Sequence, residues 1–340
     1  MKNRFKMPAP DDLHLHLRDG DVLRAVLPYT AQQFRRALIM PNTTSPILNE
    51  RDVMNYRDQI ALAAYGSGHP EFEPLMSIQI TEHTTPETIR WALVAGAVAG
   101  KVYPRGMTTN SENGVLDYRA IYPALTAMEE CGMLALFHGE SPNPKVFCLD
   151  REAKFLKILK RIATKFPRLK IVMEHVTTAK AVECVEALPA NVAATITVHH
   201  LFLTLDDVIG GKLQPHHFCK PVAKKPADRI ALLIAATSGN PKFFLGTDSA
   251  PHPRSAKECA SGCAGTFTAP VAVPLLAQLF EQQRVLGKLK NFCSGFGADF
   301  YNLPRNTGTI TLIREDWTVP LIYGDVVPFW AGKTISWRME

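Results

Sequence analysis

The sequence predicts a (β/α)8 barrel with a C-terminal helical extension. Eight short apolar runs each end in a polar residue, and most are continuous runs, as in parallel strands covered on both faces. Stretches with helical spacing separate most of these runs. Their starts carry helix signals, such as Asn49 before Glu50 and Thr85 before a proline. Strands and helices that alternate over about 240 residues favour a closed barrel.

The predicted elements follow one another from residue 12 to residue 248. The strand-like runs are Asp12 to Arg18, Ala37 to Asn42, Leu75 to Thr81, Ala97 to Tyr103, Met133 to Glu140, Lys170 to His175, Val192 to His200 and Lys242 to Asp248. The helical stretches are Glu50 to Tyr65, Thr85 to Ala95, Ala120 to Glu130, Arg151 to Phe166, Ala179 to Leu188 and Pro226 to Thr237. Residues 265–340 are expected to add helices and a short Pro-rich tail, so that residues 1–340 form a single domain.

A doubly wound sheet is the competing architecture. It is disfavoured because no G-x-G-x-x-G follows the first strand and because eight strands suit closure. In a barrel, catalytic groups lie at the carboxyl ends of the strands.

Composition excludes several classes of protein. The chain has 340 residues, of which 46% are hydrophobic and 21% charged, so it can bury a large core. Its longest uncharged apolar stretch, Trp91 to Gly100, is far shorter than the roughly 20 residues of a membrane-spanning helix. Asp11 and Asp12 stand where a signal peptide would be apolar. We therefore expect a cytoplasmic protein that does not bind membranes.

The distribution of charge and of cysteines is also typical of a cytoplasmic protein. The net charge of +6 comes from basic residues dispersed along helix-like stretches such as Lys154 to Lys165, which indicates solvated helix faces and no nucleic-acid partner. The seven cysteines include no C-x-x-C pair, so reduced thiols are expected. Cys259 and Cys263 could form half of a zinc site, but no second pair completes it.

Polar residues at the strand ends form a set of metal-ligand type. In chain order the ends carry His14 and His16, Asn42, Thr81, Lys101, His138, His175, His199 with His200, and Asp248. Any one of these histidines is more often a hydrogen-bonded core residue. Four histidines and an aspartate at predicted strand ends, however, are hard to explain independently. Imidazole and carboxylate ligands suit zinc, with manganese or iron also possible.

Lys101 is the unusual member of this set. It ends an apolar run, where a buried ammonium is costly, and cations would repel it. Packing of its stem in the barrel, with the head in solvent or beside an acid, is one explanation. The other is reaction of the neutral amine with carbon dioxide, which gives a carbamate able to bridge two metal ions.

The motifs together resemble the dihydroorotase family, in its shorter free-standing form, within the amidohydrolase superfamily. The resemblance runs from about residue 8 to the C-terminus. The motifs are His14-Leu-His16-Leu-Arg18-Asp19, Met40-Pro-Asn42, Lys101-Val-Tyr103-Pro104, Phe137-His138-Gly139-Glu140, Glu174-His175, Ala194-Thr-Ile-Thr197 and Gly246-Thr-Asp248-Ser-Ala-Pro-His252. It implies reversible cyclisation of N-carbamoyl-L-aspartate to L-dihydroorotate in de novo pyrimidine biosynthesis. It also implies a cytoplasmic enzyme that is often a homodimer.

The resemblance further implies two Zn²⁺ ions per chain, bridged by a carboxylated Lys101. One ion would be held by His14, His16, Lys101 and Asp248, and the other by Lys101, His138 and His175. A hydroxide bridging the two ions would attack the substrate. Asp248 would act as general base and then as general acid.

Substrate contacts are implied as well. Arg18, on the same predicted strand face as His16, can grip a carboxylate through two parallel hydrogen bonds. By resemblance Asn42 and His252 complete this clamp. Ala264 and the segment at Lys220 resemble the backbone that holds the ring amide, and Thr108 and Thr109 resemble the tip of a mobile loop. His199 and His200 would orient other groups.

Three rivals remain at this stage. A hydantoinase or allantoinase would use the same metals but would not need a carboxylate clamp. An inactive homologue would be expected to lack metal ligands, and all six are present. A nucleic-acid binder would rest on the net charge alone.

Overall fold

The computed structural model describes residues 3–340 and contains thirteen strands. They are β1 (Arg4–Pro8), β2 (Asp11–Leu15), β3 (Arg36–Ile39), β4 (Glu73–Ile80), β5 (Ala97–Val102), β6 (Leu134–His138), β7 (Ile171–Glu174), β8 (Val192–Ile196), β9 (Phe243–Leu245), β10 (Thr309–Ile313), β11 (Trp317–Thr318), β12 (Thr334–Ile335) and β13 (Arg338–Met339). Strands β2 to β9 form one parallel sheet in chain order. The predicted barrel is confirmed.

The sheet closes where the chain leaves β9. Leu15 and Ser249 form a parallel bridge, and the amide of His16 donates to the carbonyl of Ser249 over 3.0 Å. The amide of Asp248 donates to the carbonyl of His14 over 2.9 Å. The first and last barrel strands are therefore joined at the level of three predicted metal ligands.

Helices surround the barrel. They are α1 (Gly20–Ala31), α2 (Glu50–Gly66), α3 (Pro86–Val94), α4 (Tyr122–Cys131), α5 (Arg151–Lys165), α6 (Ala179–Ala187), α7 (Val198–Phe202), α8 (Asp206–Ile209), α9 (Pro226–Ser238), α10 (Arg254–Lys257), α11 (Ala272–Gln282) and α12 (Phe296–Phe300). Each predicted helical stretch corresponds to one helix with ends within two residues. Asn49 caps α2 as expected, because its side chain accepts from the amides of Arg51 and Asp52.

The interior of the barrel is a separate small apolar core. Every barrel strand contributes to it, with Leu13, Leu38, Leu75, Ala99, Leu136, Val172, Ala193 and Phe244 among its members. The alternate residues of the same strands pack outward against the helices in a larger core. Side chains thus fill the barrel below its carboxyl end, and the polar residues are left at the mouth.

The tail differs from the prediction. Residues 265–340 include helices α11 and α12, but the last part of the chain forms strands in place of a Pro-rich tail. β10 pairs antiparallel with β1 and with β13. The alternating sequence Thr309-Ile-Thr-Leu-Ile313 suits a strand with one buried face, but its main partner lies at the other end of the chain.

Within residues 3–340, no helix has the length and apolar character that a membrane span requires. All seven cysteines are free.

Candidate active site

One pocket at the carboxyl end of the barrel collects most of the predicted site residues. Its walls are formed by His14, His16, Arg18, Asn42, Tyr103, Thr108, Thr109, His138, His175, Lys220, Asp248, Ala250, Ala264 and Gly265. These residues come from the ends of β2, β3, β5, β6, β7 and β9 and from three loops. Parallel strands bring them together because their carboxyl ends share one side of the barrel.

His14, His16 and Asp248 form the first ligand group. The Nε2 atoms of His14 and His16 lie 3.4 and 3.1 Å from the same oxygen, Oδ1 of Asp248. Burial would raise the pKa of Asp248, but its contacts with the two histidines hold it well below the ordinary value. Gly246 permits this approach, because a Cβ there would lie 2.8 Å from Cβ of His14. Two imidazole nitrogens and a carboxylate oxygen are thus close enough together to bind a single metal ion.

His138 and His175 form the second group. Their ring centroids are 4.6 Å apart, and His175 is 5.0 Å from His14, so the two groups adjoin. Nε2 of His138 is 2.8 Å from Oε2 of Glu140. Burial lowers the pKa of His138 and holds that of His175 well below its ordinary value. Burial therefore favours the neutral form of both rings, which is the form that metal ligation requires.

Lys101 is fully buried, and its charge acts on His14 of the first group and on His138 of the second. Its Nζ has no hydrogen-bond partner among residues 3–340 and lies 5.3 Å from the ring centroid of Tyr103. Burial lowers the pKa of Lys101 to about 8. The head of Lys101 therefore does not reach solvent, and no acid within residues 3–340 forms an ion pair with it. The lowered pKa favours the neutral amine that a carbamate requires.

Glu174 was not predicted as a functional residue, although it precedes His175. Its Oε2 accepts from Thr195 Oγ1 over 2.6 Å and lies 2.8 Å from Nδ1 of His14. The carboxylate thus fixes the ring of His14 so that Nε2 faces Asp248. The adjacent sequence Glu174-His175 was the only signal, because the partner of Glu174 lies on another strand.

Three site residues have a left-handed backbone. The φ angles are 62° at Arg18, 42° at His175 and 47° at Asp248, and all three residues lie just beyond a barrel strand. Arg18 therefore does not continue the strand face of His16, as the spacing predicted, because the chain turns there into α1. Such conformations cost free energy in residues other than glycine and gather at functional sites.

Arg18 and His252 adjoin at the side of the pocket. The guanidinium donates from Nε to the carbonyl of Pro251 over 3.0 Å, and a terminal nitrogen is 2.9 Å from Nε2 of His252. Nε2 is also 3.1 Å from the carbonyl of Ala264. Burial and Arg18 lower the pKa of His252 to about 3. The ring is neutral, so its Nε2 can accept from Arg18 or donate to Ala264 but cannot do both at once.

A loop covers the pocket beside Asn42. The side-chain amide of Asn42 donates to the carbonyl of Thr109 over 3.0 Å. Asn110, which sequence reasoning missed, donates to the carbonyls of Asn42 and Thr43 over 3.0 and 3.1 Å. Thr108 and Thr109 consequently face the pocket, and Asn42 contacts both the loop and the site.

His199 and His200 do not end a strand. β8 ends at Ile196, and both histidines lie in the short helix α7, whose N-cap is Thr197. They approach Cys219, so these three residues form a second buried group of ligand type. His200 is already bonded to Thr197 and to the carbonyl of Pro221. Cys259 and Cys263 do not join either ligand group in the described part of the chain.

The residues at the barrel mouth fit a metal centre. His14, His16 and Asp248 place one ligand atom each within 4.8 Å of one another. Lys101 and His175 add buried nitrogens without partners in residues 3–340. Buried polar atoms of this kind are normally paired, and a bound metal ion would give the imidazole nitrogens a partner.

Comparison with known proteins identifies the family. The Amidohydrolase family model matches residues 5–321. A curated dihydroorotase from Teredinibacter turnerae is 49% identical over the whole of both chains. The chain belongs to the dihydroorotases of the amidohydrolase family.

Solved dihydroorotase structures have the same fold. The structure from Saccharomyces cerevisiae, a complex with 5-fluoroorotic acid, matches with a TM-score of 0.93 at 36% identity, covering 99% of this chain and 98% of that one. The structure from Campylobacter jejuni matches with a TM-score of 0.92 at 40% identity, covering 100% and 98%. The resemblance seen in the motifs thus extends over the whole dihydroorotase chain.

Proposed function

We propose that the protein interconverts N-carbamoyl-L-aspartate and L-dihydroorotate in pyrimidine biosynthesis at a centre of two zinc ions. One observation supports this proposal: candidate metal ligands and a cationic side chain line the same pocket. The ligand set lies around a buried lysine without a hydrogen-bond partner in residues 3–340, and Arg18 supplies the cation. A carboxylate-bearing cyclic amide needs both.

His14, His16 and Asp248 would hold one zinc ion, and His138 and His175 the other. Lys101, carboxylated on Nζ, would contact both. Two ions bound there would acidify a water molecule and polarise the amide carbonyl. Neutral imidazoles and a carboxylate are ligands of the type zinc prefers, although ligand type alone also admits manganese.

Hydrolysis adds one water across the ring amide bond. The oxygen goes to the carbonyl carbon, and the bond from that carbon to nitrogen breaks. Asp248 is ionised, so its carboxylate can accept the proton of the attacking water and deliver it to the departing nitrogen. The second proton of the water is released when the new carboxyl group ionises. Ring closure reverses these steps and consumes that proton.

Arg18, Asn42 and His252 would bind the substrate carboxylate. Arg18 brings a fixed positive charge, and Asn42 keeps one amide hydrogen after bonding Thr109. A carboxylate between Arg18 and His252 would accept from both, with the proton of His252 moved to Nε2. Ala264 and the backbone at Lys220 would face the ring amide, and Thr108 and Thr109 would cover it.

The test is hydrolysis of L-dihydroorotate by the zinc-loaded protein, with D-dihydroorotate and a neutral hydantoin assayed beside it. We expect turnover of the L-form alone and loss of turnover in Asp248→Asn. Turnover of the hydantoin alone would place the protein with the hydantoinases. Failure to turn over any substrate, with two zinc ions bound per chain, would support the inactive homologue.

A further inference from the structure

Two loops that line the pocket meet each other. One is residues 218–221, which includes Lys220, and the other is Ala264 with Gly265. The amide of Gly265 donates to the carbonyl of Phe218 over 2.9 Å. Lys220, Ala264 and Gly265 all line the pocket. This contact therefore sets the distance between two walls of the site.

Lys257 holds both loops at once. It lies at the end of α10 with 3% of its surface exposed, and its Nζ donates to the carbonyl of Phe218 over 2.9 Å and to that of Gly265 over 2.5 Å. No carboxylate in residues 3–340 forms an ion pair with this ammonium, and burial lowers the pKa of Lys257 to about 8. Burying a cation without a counter-ion costs free energy. The two hydrogen bonds of Lys257 hold the carbonyls of Phe218 and Gly265 in fixed positions, and this could offset that cost.

Gly265 connects the loops held by Lys257 to the part of the pocket formed by Arg18 and His252. Its φ is 150°, and a Cβ there would lie 2.4 Å from the carbonyl oxygen of Ala250 and 3.0 Å from Cδ2 of His252. The backbone of Gly265 therefore packs directly against His252. His252 in turn contacts Arg18 over 2.9 Å. A shift of the Gly265 carbonyl would move His252 and Ala264 together.

We propose that Lys257 is a positioning residue that fixes His252 and Ala264 relative to Arg18 by tying residues 218–221 to Gly265. It touches neither substrate nor metal ligands. It acts on substrate binding through the two loops. The part of this proposal that concerns substrate rests on the proposed function, whereas the tie between the loops does not.

The kinetic test compares Lys257→Met, which keeps the apolar stem, with Lys257→Arg, which keeps charge and donors. Losing two charge-assisted hydrogen bonds should raise KM for L-dihydroorotate about tenfold and change kcat by less than about threefold. Lys257→Arg should recover part of the loss. Zinc content should stay unchanged in both. The matched control is Lys288→Met, whose Nζ also bonds two carbonyls, those of Thr237 and Ser238, far from the pocket.

Hydrogen–deuterium exchange supplies a readout that does not depend on turnover. In Lys257→Met the Gly265 amide and residues 218–221 should exchange faster than in the wild type, and in Lys288→Met they should not. Unchanged exchange would overturn the proposal whether or not L-dihydroorotate is a substrate. Faster exchange with an unchanged KM would also overturn it. Absence of wild-type turnover would count against the proposed function alone.

Discussion

At the scale of single residues, the site contains a guanidinium cation that its neighbours hold in one orientation. Arg18 is half-buried, and its guanidinium is oriented by the carbonyl of Pro251 and by His252. A guanidinium can place two parallel N–H groups on a carboxylate, whereas an ammonium is a point charge.

Arg18→Lys should therefore lower kcat/KM for L-dihydroorotate by about ten- to a hundredfold, or about 1.4 to 2.8 kcal/mol, mainly through KM. Steady-state kinetics measures this. Arg24→Lys, on the exposed face of α1 beside Asp21, is the control and should behave like the wild type. An Arg18→Lys enzyme with an unchanged KM would show that the carboxylate binds elsewhere.

Lys101 is the residue that we propose to link the two ligand groups. Since its amine has no protein partner in residues 3–340, the proposed carbamate is the group that would join the two ligand sets. Lys101→Ala should lose zinc and activity together. Metal analysis after gel filtration, with Lys160→Ala on the exposed face of α5 as control, measures this. Two retained zinc ions with full turnover would contradict the bridging role.

The pKa of Lys101 also predicts how activation depends on pH. Burial lowers this pKa to about 8, and only the neutral amine reacts with carbon dioxide. Raising the pH deprotonates the amine, so activation of metal-free protein should speed up between about pH 7 and about pH 9. The measurement is the rate of activation by zinc at constant dissolved carbon dioxide. A rate that falls over this range would argue against attack by the amine of Lys101.

At the scale of elements, the closing seam of the barrel carries three of the six predicted metal ligands, His14, His16 and Asp248. Asp12 on β2 accepts from the amide of Thr247 over 2.8 Å, from its hydroxyl over 2.6 Å and from the amide of His14 over 3.2 Å. The carboxylate is fully buried. It joins the strand of His14 and His16 to the segment that carries Asp248.

Asp12→Ala should lower the free energy of unfolding by about 3 kcal/mol or more, because it leaves buried donors without partners. Zinc affinity should fall with it. Urea unfolding of the metal-free protein measures the first effect. Asp207→Ala removes a carboxylate with similar bonds to Thr204 at an exposed helix start, and it should cost only about 1 kcal/mol. Equal decreases in the free energy of unfolding of the two variants would show that the hydrogen bonds of Asp12 stabilise the fold no more than those of an exposed helix start.

At the scale of the whole molecule, the position of a site residue could be predicted where its place at a strand end alone determines where it lies in the barrel. Metal-type residues at the ends of parallel strands must meet once the barrel closes, so their meeting could be foreseen. The orientation of His14 by Glu174 could not be, because the two lie on strands far apart in the sequence. The same holds for Asn110 and Lys257, whose roles depend on backbone carbonyls contributed by other loops.

The chain ends show the same limit. β1 and β10 each alternate polar and apolar residues, but Phe5 pairs with Leu312 across almost the whole chain. Local patterning gives no information about such a partner. His199 and His200 were misplaced for a related reason. The apolar run Val192 to His200 continues through Thr197, which ends the strand and caps α7.

The proposed metal centre at the barrel mouth holds two zinc ions bridged by carboxylated Lys101. Anomalous diffraction at the zinc edge from crystals of the zinc-loaded protein tests it most directly. We expect two peaks, one beside His14, His16 and Asp248 and one beside His138 and His175, with electron density extending beyond Nζ of Lys101 to both. A single peak with an unmodified Lys101, or zinc only at His199, His200 and Cys219, would contradict it.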